Sequence, residues 1–131
     1  MLSLNRLLLL QSIFAAASLT YLVVSLIRRE TTGEALSAAA IAPSIAMFIA
    51  YLGILWLGRS EHIGWYRIGM IPALILFGGG GVAGNVLRYF QSGLENYAGV
   101  PAFLIAVLIN GFGTVLNVIA LFGLFKKDDT V

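Results

Sequence analysis

The chain has no cysteine, one histidine, three prolines and few charges: eight Lys+Arg and six Asp+Glu in 131 residues. Without cysteine there is no disulfide, no thiol nucleophile, no iron–sulfur cluster and no thiolate zinc site. The single histidine, His62, stands beside Glu61 with no second histidine, short of the three or four ligands that zinc takes. It also lies outside the apolar runs where an axial haem ligand would sit, so no metal or cofactor is expected. The shortage of charge excludes more. Charged residues are 11% of the chain, against roughly 25% in an ordinary soluble domain, too few to cover a water-facing surface. The polar and basic runs of a disordered segment or a nucleic-acid arm are missing, and nucleic acid is not an expected partner.

What is present is apolar. Hydrophobic residues make up 60% and mean hydropathy is +0.95. A charge at the bilayer centre costs ~2.5–3.5 kcal/mol on insertion scales, so the spacing of charges marks the spans. The uncharged runs are residues 7–27, 35–58, 68–87 and 96–125. At ~1.5 Å per residue each is long enough for a ~30 Å hydrocarbon core. The expected fold is an all-α integral membrane protein: one domain, residues 1–131, with spans at about 4–28, 36–58, 66–90 and 100–125. Short loops leave no room for a soluble domain and make successive helices antiparallel neighbours, two hairpins in one bundle. A kink is expected at Pro43 or Pro72, where backbone bonding is interrupted.

Interfacial rings agree with these borders. Trp56, Trp65 and Tyr66 bracket the second loop, and Tyr21, Tyr89 and Tyr97 mark the opposite face. The first apolar run continues to Ile27, past the ~7–15 residues of a signal h-region, so an uncleaved first span is expected. Arg6, Arg59, Arg67, Lys126 and Lys127 fall on one side, and Arg28, Arg29 and Arg88 on the other. The positive-inside rule then places both termini in the cytoplasm, with a bacterial inner membrane as the expected location.

Polar and small residues inside the spans are the candidate sites. Asn110, Thr114 and Asn117 recur at i, i+4 and i+7, one stripe that must face protein or a water-filled path, because an amide in lipid is unsatisfied. Counting from the helix ends puts Asn110 level with Gly78, and Asn117 level with Ile71 beside Pro72. The asparagines are thus expected to satisfy third-helix backbone that glycine and proline loosen. Gly78–Gly81 is the most distinctive run. Gly80 and Gly84 form a GxxxG pattern expected to admit a neighbouring helix closely, with an unwound, substrate-lining segment as the alternative. Arg88, one turn after Asn85, is either an interfacial anchor or a cation for an anion or lipid phosphate.

The stretch Gly80-Gly81-Val82-Ala83-Gly84-Asn85-Val86-Leu87-Arg88-Tyr89, followed about one helix later by Asn110-Gly111, resembles the first part of a fluoride channel. That family implies small four-span proteins that form inverted dimers. The resemblance covers under a third of the chain and lies in its second half. The Phe-Thr-Thr-Phe-Ser stretch of the family is absent, so the likeness is compositional and assigns no functional residue here.

Three functions compete. The first is a non-enzymatic subunit packing, through small faces such as Ser12/Ala16 and Gly80/Gly84, against copies of itself or other membrane subunits, with the lipid bilayer as its other partner. The second is a small oligomeric channel or carrier for an ion or small solute, with Asn85, Arg88, Asn110 and Asn117 lining the path. The third, a membrane enzyme, ranks last because the chain holds no paired acid and base, no nucleophile with its base and no metal cluster.

Overall fold

The computed structural model describes residues 2–37 and 40–127. Most of these residues are helical, with four helical stretches long and apolar enough to cross a membrane: Leu4–Thr32, Ile41–Arg59, Ile63–Ser92 and Val100–Leu121. The first two are α1 and α2. The third divides into α3 (Ile63–Ala73), an 11-residue π-helical segment (Leu74–Gly84) and α4 (Asn85–Ser92); the last span is α5 (Val100–Leu121). No strand occurs among the described residues; one isolated parallel bridge, Ser3 to Lys126, ties the two ends of the chain together.

The borders differ from the charge-spacing expectation for local reasons. α1 runs past Arg28 to Thr32, because charged residues beyond the apolar run can continue a helix in water. Gly33, at φ 81°, then ends it in the left-handed conformation and donates to Arg29 O. α2 starts at Ile41 rather than 36. Leu36 N–H is taken by Ser25 Oγ at 2.9 Å, outside any helix, and positions 38 and 39 lie outside the described residues. α5 ends at Leu121 rather than 125, since Gly123 adopts φ 67° and Lys126 pairs with Leu2 and Leu4.

Pro43 falls in the first turn of α2, where a missing N–H costs little, so it interrupts nothing. Pro72 lies inside α3, and the π segment begins two residues after it. Proline withholds one helical donor and the glycines that follow bring no Cβ contacts to restore tight α winding. The wider i→i+5 register carries the chain through Gly84 before Asn85 resumes the α-helix. The glycine run is therefore neither unwound nor re-entrant.

The helices are antiparallel in sequence order and close into a ring. Residue pairs fix the register: Phe14 with Phe48 between α1 and α2, Tyr66 beside Gly58 between α2 and α3, Asn110 beside Gly81 between α5 and the π segment, and Gln11 with Asn117 between α1 and α5. α2 packs its backbone on α1 and α3 only. The π segment and α4 lean on α5 instead, so α2 and the third span part company above Ala73. That divergence makes the site.

Candidate functional site

Three layers stack along the bundle axis. The lowest, at the end that carries Arg59, Arg67 and Lys126, is a buried polar cluster. Gln11 on α1 donates through Nε2 to Asn117 Oδ1 at 3.0 Å and lies 3.4 Å from Met70 Sδ. Tyr51 on α2 donates to the same Asn117 oxygen at 2.5 Å, and the Tyr66 hydroxyl donates to Gln11 Oε1. Gln11, Asn117, Tyr66 and Met70 are fully buried and Tyr51 nearly so. One atom is left over: Asn117 Nδ2 is buried and has no partner. The hydrogen bonds of this buried network fix the pairing of the helices that share it, while its one unpaired donor costs about 1–3 kcal/mol.

Above it lies an aromatic layer. Phe14, Phe48 and Phe77 meet with ring centroids 4.5–5.5 Å apart, Phe48 stacked on Phe77 and Phe14 edge-on to both. Tyr51 joins from below, 5.5 Å from Phe14 and from Phe77. Offset and edge-on pairs of this kind gain ~0.5–1.5 kcal/mol each beyond burial. Phe14 fits because residue 113 is glycine: a Cβ there would overlap the ring. The Phe48–Phe77 stack, with Tyr51 edge-on to Phe77, bridges the gap between α2 and the π segment.

The third layer is a cavity of about 290 Å³, lined from all four spans, that fills this gap between the aromatic layer and Arg88. Met47, Leu76 and Ile109 make apolar wall, and Phe48 and Phe77 form its floor. Ser37, Ser44 and Asn85 add polar lining, as do the groups that follow. Ser18 is 5% exposed, and its hydroxyl has no partner. Tyr21 Oη donates to Ala102 O at 2.9 Å. Asn110 lies against Gly81, filling the space a Cβ on that glycine would need, and its Nδ2 donates to Ala106 O at 2.8 Å on its own helix. Arg88 is half-buried at the upper rim. Its Nη1 reaches Asn85 Oδ1 at 3.4 Å, and that oxygen also accepts from Tyr97 at 2.5 Å. Among the described residues the one ion pair is Arg29–Glu30, so Arg88 faces the cavity with no carboxylate to neutralise it.

The sequence-derived candidates therefore divide. Asn85, Arg88, Asn110 and Gly80 line the cavity. Thr114 bonds back to Asn110 O at 2.7 Å and packs on Gly78, one turn below. Asn117 belongs to the lower cluster, and its amide oxygen takes side-chain donors from α1 and α2 rather than satisfying backbone near Pro72. Asn110 likewise bonds its own helix and not the glycine backbone. The close approach expected at Gly80 and Gly84 occurs instead at Gly78 and Gly81: a Cβ at 80 would meet nothing within 4 Å, and one at 84 only Gly79 O at 3.4 Å. The π register turns Gly80 toward the cavity.

Gln11, Tyr51, Tyr66 and Ser18 belong to the site although the sequence pattern does not single them out. Gln11 is a lone amide in a leucine-rich run, and Tyr66 reads as an interfacial ring but is fully buried, its hydroxyl turned inward to Gln11. A lone Gln11 between Leu10 and Ser12 in an apolar span was the available signal, since such a group must find a partner inside the protein. Trp56 and Trp65 are about two-thirds exposed, as membrane-interface rings would be. Among the described residues no cluster of three or more His, Cys, Asp or Glu comes together. No protein-family model matches this chain, and it matches no curated protein and no solved structure.

Proposed function

We propose that the protein is a small multi-pass membrane carrier for an anionic solute, with the cavity below Arg88 as its binding site. The observation that carries this reading is a guanidinium without a counter-ion on the wall of a four-helix cavity. A half-buried cation with no carboxylate partner favours an anion brought beside it, and that attraction supplies binding energy. The order of layers suits carriage. The cavity holds the solute, the Phe14/Phe48/Phe77 layer excludes water beneath it, and the Gln11/Tyr51/Asn117 cluster offers polar groups on the far side. A dry aromatic constriction between two polar zones is how a membrane pathway is kept closed until it moves. In this reading the protein does no covalent chemistry.

Reconstitution into liposomes tests it. Purified protein should release trapped anions, assayed with chloride, phosphate and octanoate, faster than empty liposomes do. Arg88→Gln should abolish that release and Arg88→Lys retain part of it, because lysine keeps the charge without the fork geometry. No release of any of the three by folded wild-type protein would overturn the carrier reading.

A second reading, a packing subunit of a membrane assembly, has its own observation. Ser12, Ala16 and Thr20 lie exposed along α1, and Ala42, Ala46, Ala50 and Gly53 along α2. The Ser12 and Thr20 hydroxyls return to their own helix, at Leu8 O and Ala16 O, both at 2.8 Å, leaving a smooth outer face of small residues. Such faces let a further helix approach closely. Native mass spectrometry from membranes separates the two when read with the liposome assay: a fixed hetero-stoichiometry supports the subunit, a monomer or homo-oligomer that moves anions supports the carrier.

A further inference from the structure

The walls of the cavity bear on which class of anion it takes, a question that rests on the binding reading above. A bare inorganic anion fits it poorly. An ion seated on Arg88 would occupy only part of a space of about 290 Å³ whose lining includes Met47, Leu76 and Ile109 beside the polar Tyr21, Ser37, Ser44 and Asn85. That volume is near the lower end of small-molecule pockets. The inner end is polar as well. Ser18 lies one helical turn above Phe14 of the aromatic layer, 95% buried, with a hydroxyl that no protein group satisfies. Arg88 follows Phe77 of the same layer by three turns of the third span. Counted at the α-helical rise, the backbone levels of residues 18 and 88 differ by ~10 Å, and the wider π winding shortens this somewhat.

We infer that the ligand is a water-soluble, medium-length organic anion with two polar ends: a carboxylate-type head on Arg88, an apolar body along Met47, Leu76 and Ile109, and a hydrogen-bonding group at the far end against Ser18. Each observation constrains one part. The unpaired guanidinium selects the head, the apolar wall selects the body, and the unpartnered buried hydroxyl selects the tail group, since a buried hydroxyl gains most from a partner that restores its hydrogen bond.

Calorimetric titration of the full-length protein in lipid nanodiscs tests this with chloride, phosphate, octanoate, 8-hydroxyoctanoate and oleate. The expected order places 8-hydroxyoctanoate about five-fold tighter than octanoate, one net hydrogen bond. Both carboxylates should exceed either inorganic anion. Oleate should bind more weakly than octanoate, its acyl chain being too long for the cavity. Arg88→Gln should weaken both eight-carbon acids at least ten-fold, and Ser18→Ala should bring 8-hydroxyoctanoate down to the affinity of octanoate. Equal affinity of the two acids for wild-type protein would overturn the role given to Ser18. Tighter binding of oleate would place the ligand's source in the bilayer and overturn the water-soluble class. Binding of chloride or phosphate, abolished in Arg88→Gln, without binding of the organic acids would overturn the organic class and leave the Arg88 site intact. Binding of none of the five would overturn both this inference and the carrier reading.

Discussion

Asn110 and Gly81 share one volume: the asparagine side chain on α5 occupies the place where a Cβ on residue 81 of the π segment would stand. The contact joins the two walls of the cavity that come from the second half of the chain. It also explains why glycine is needed at 81 but not at 80, where a Cβ would meet nothing within 4 Å.

Gly81→Ala should therefore destabilise the protein by about 1–3 kcal/mol, the usual cost of overpacking a fitted contact. Gly80→Ala should be neutral or slightly stabilising, because alanine favours the helix. Adding Asn110→Ala to Gly81→Ala should recover much of the loss, as expected of coupled neighbours. Thermal unfolding in one detergent, read by far-ultraviolet circular dichroism, compares all four proteins. Equal melting temperatures for the two single variants would show that the contact has no energetic weight.

The lower polar cluster makes a separate prediction. Asn117→Leu removes the acceptor shared by Gln11 and Tyr51, and should cost about 1–3 kcal/mol because two buried donors lose their partner. Tyr51→Phe should cost less, about 0.6–1.7 kcal/mol, the range for one hydrogen bond inside a membrane bundle. In a double-mutant cycle the pair should lose less than the sum of the single changes. Strict additivity would mean that Tyr51 and Asn117 do not interact.

The spans were legible because charges punctuate them: Arg6, Arg28, Arg59, Arg67, Arg88 and Lys126 lie near helix ends, and helix existence follows from charge-free length. Which way a side chain faces inside a span was not legible from that spacing. The helices are apolar all round, and Asn117 and Tyr66 show the consequence. Asn117 read as a partner for backbone near Pro72; it does lie near the level of Met70, where Gln11 reaches both residues, but its amide oxygen meets the side chains of Gln11 and Tyr51 instead of backbone. Tyr66 read as an interfacial ring; a tyrosine near a span end can equally turn inward when an amide such as Gln11 awaits its hydroxyl. Arg88 was legible as a choice between anchor and anion site, and the cavity, which depends on α2 and the third span separating, gave that choice its geometry.

A five-to-three division of basic residues between the two ends leads us to expect both termini in the cytoplasm. Single cysteines at Ser60, in the turn between α2 and α3, and at Ser92, at the end of α4, report the two ends in a chain that has no other thiol. An impermeant thiol reagent should label Ser60→Cys only when the cytoplasmic face is open, and Ser92→Cys in intact cells. Labelling of both variants in intact cells would show that the chain inserts in both orientations.

The central claim is that the cavity itself carries the solute, and modification of Ser44→Cys tests it most directly. Ser44 lies on the cavity wall contributed by α2, away from Arg88 along the chain, and the substitution changes one atom. In liposomes, a bulky thiol reagent attached at residue 44 should stop anion release, and the released anion, when present in excess, should slow the attachment. Undiminished release from fully modified, folded protein would contradict the account, because the solute would then be crossing by a route that avoids the cavity.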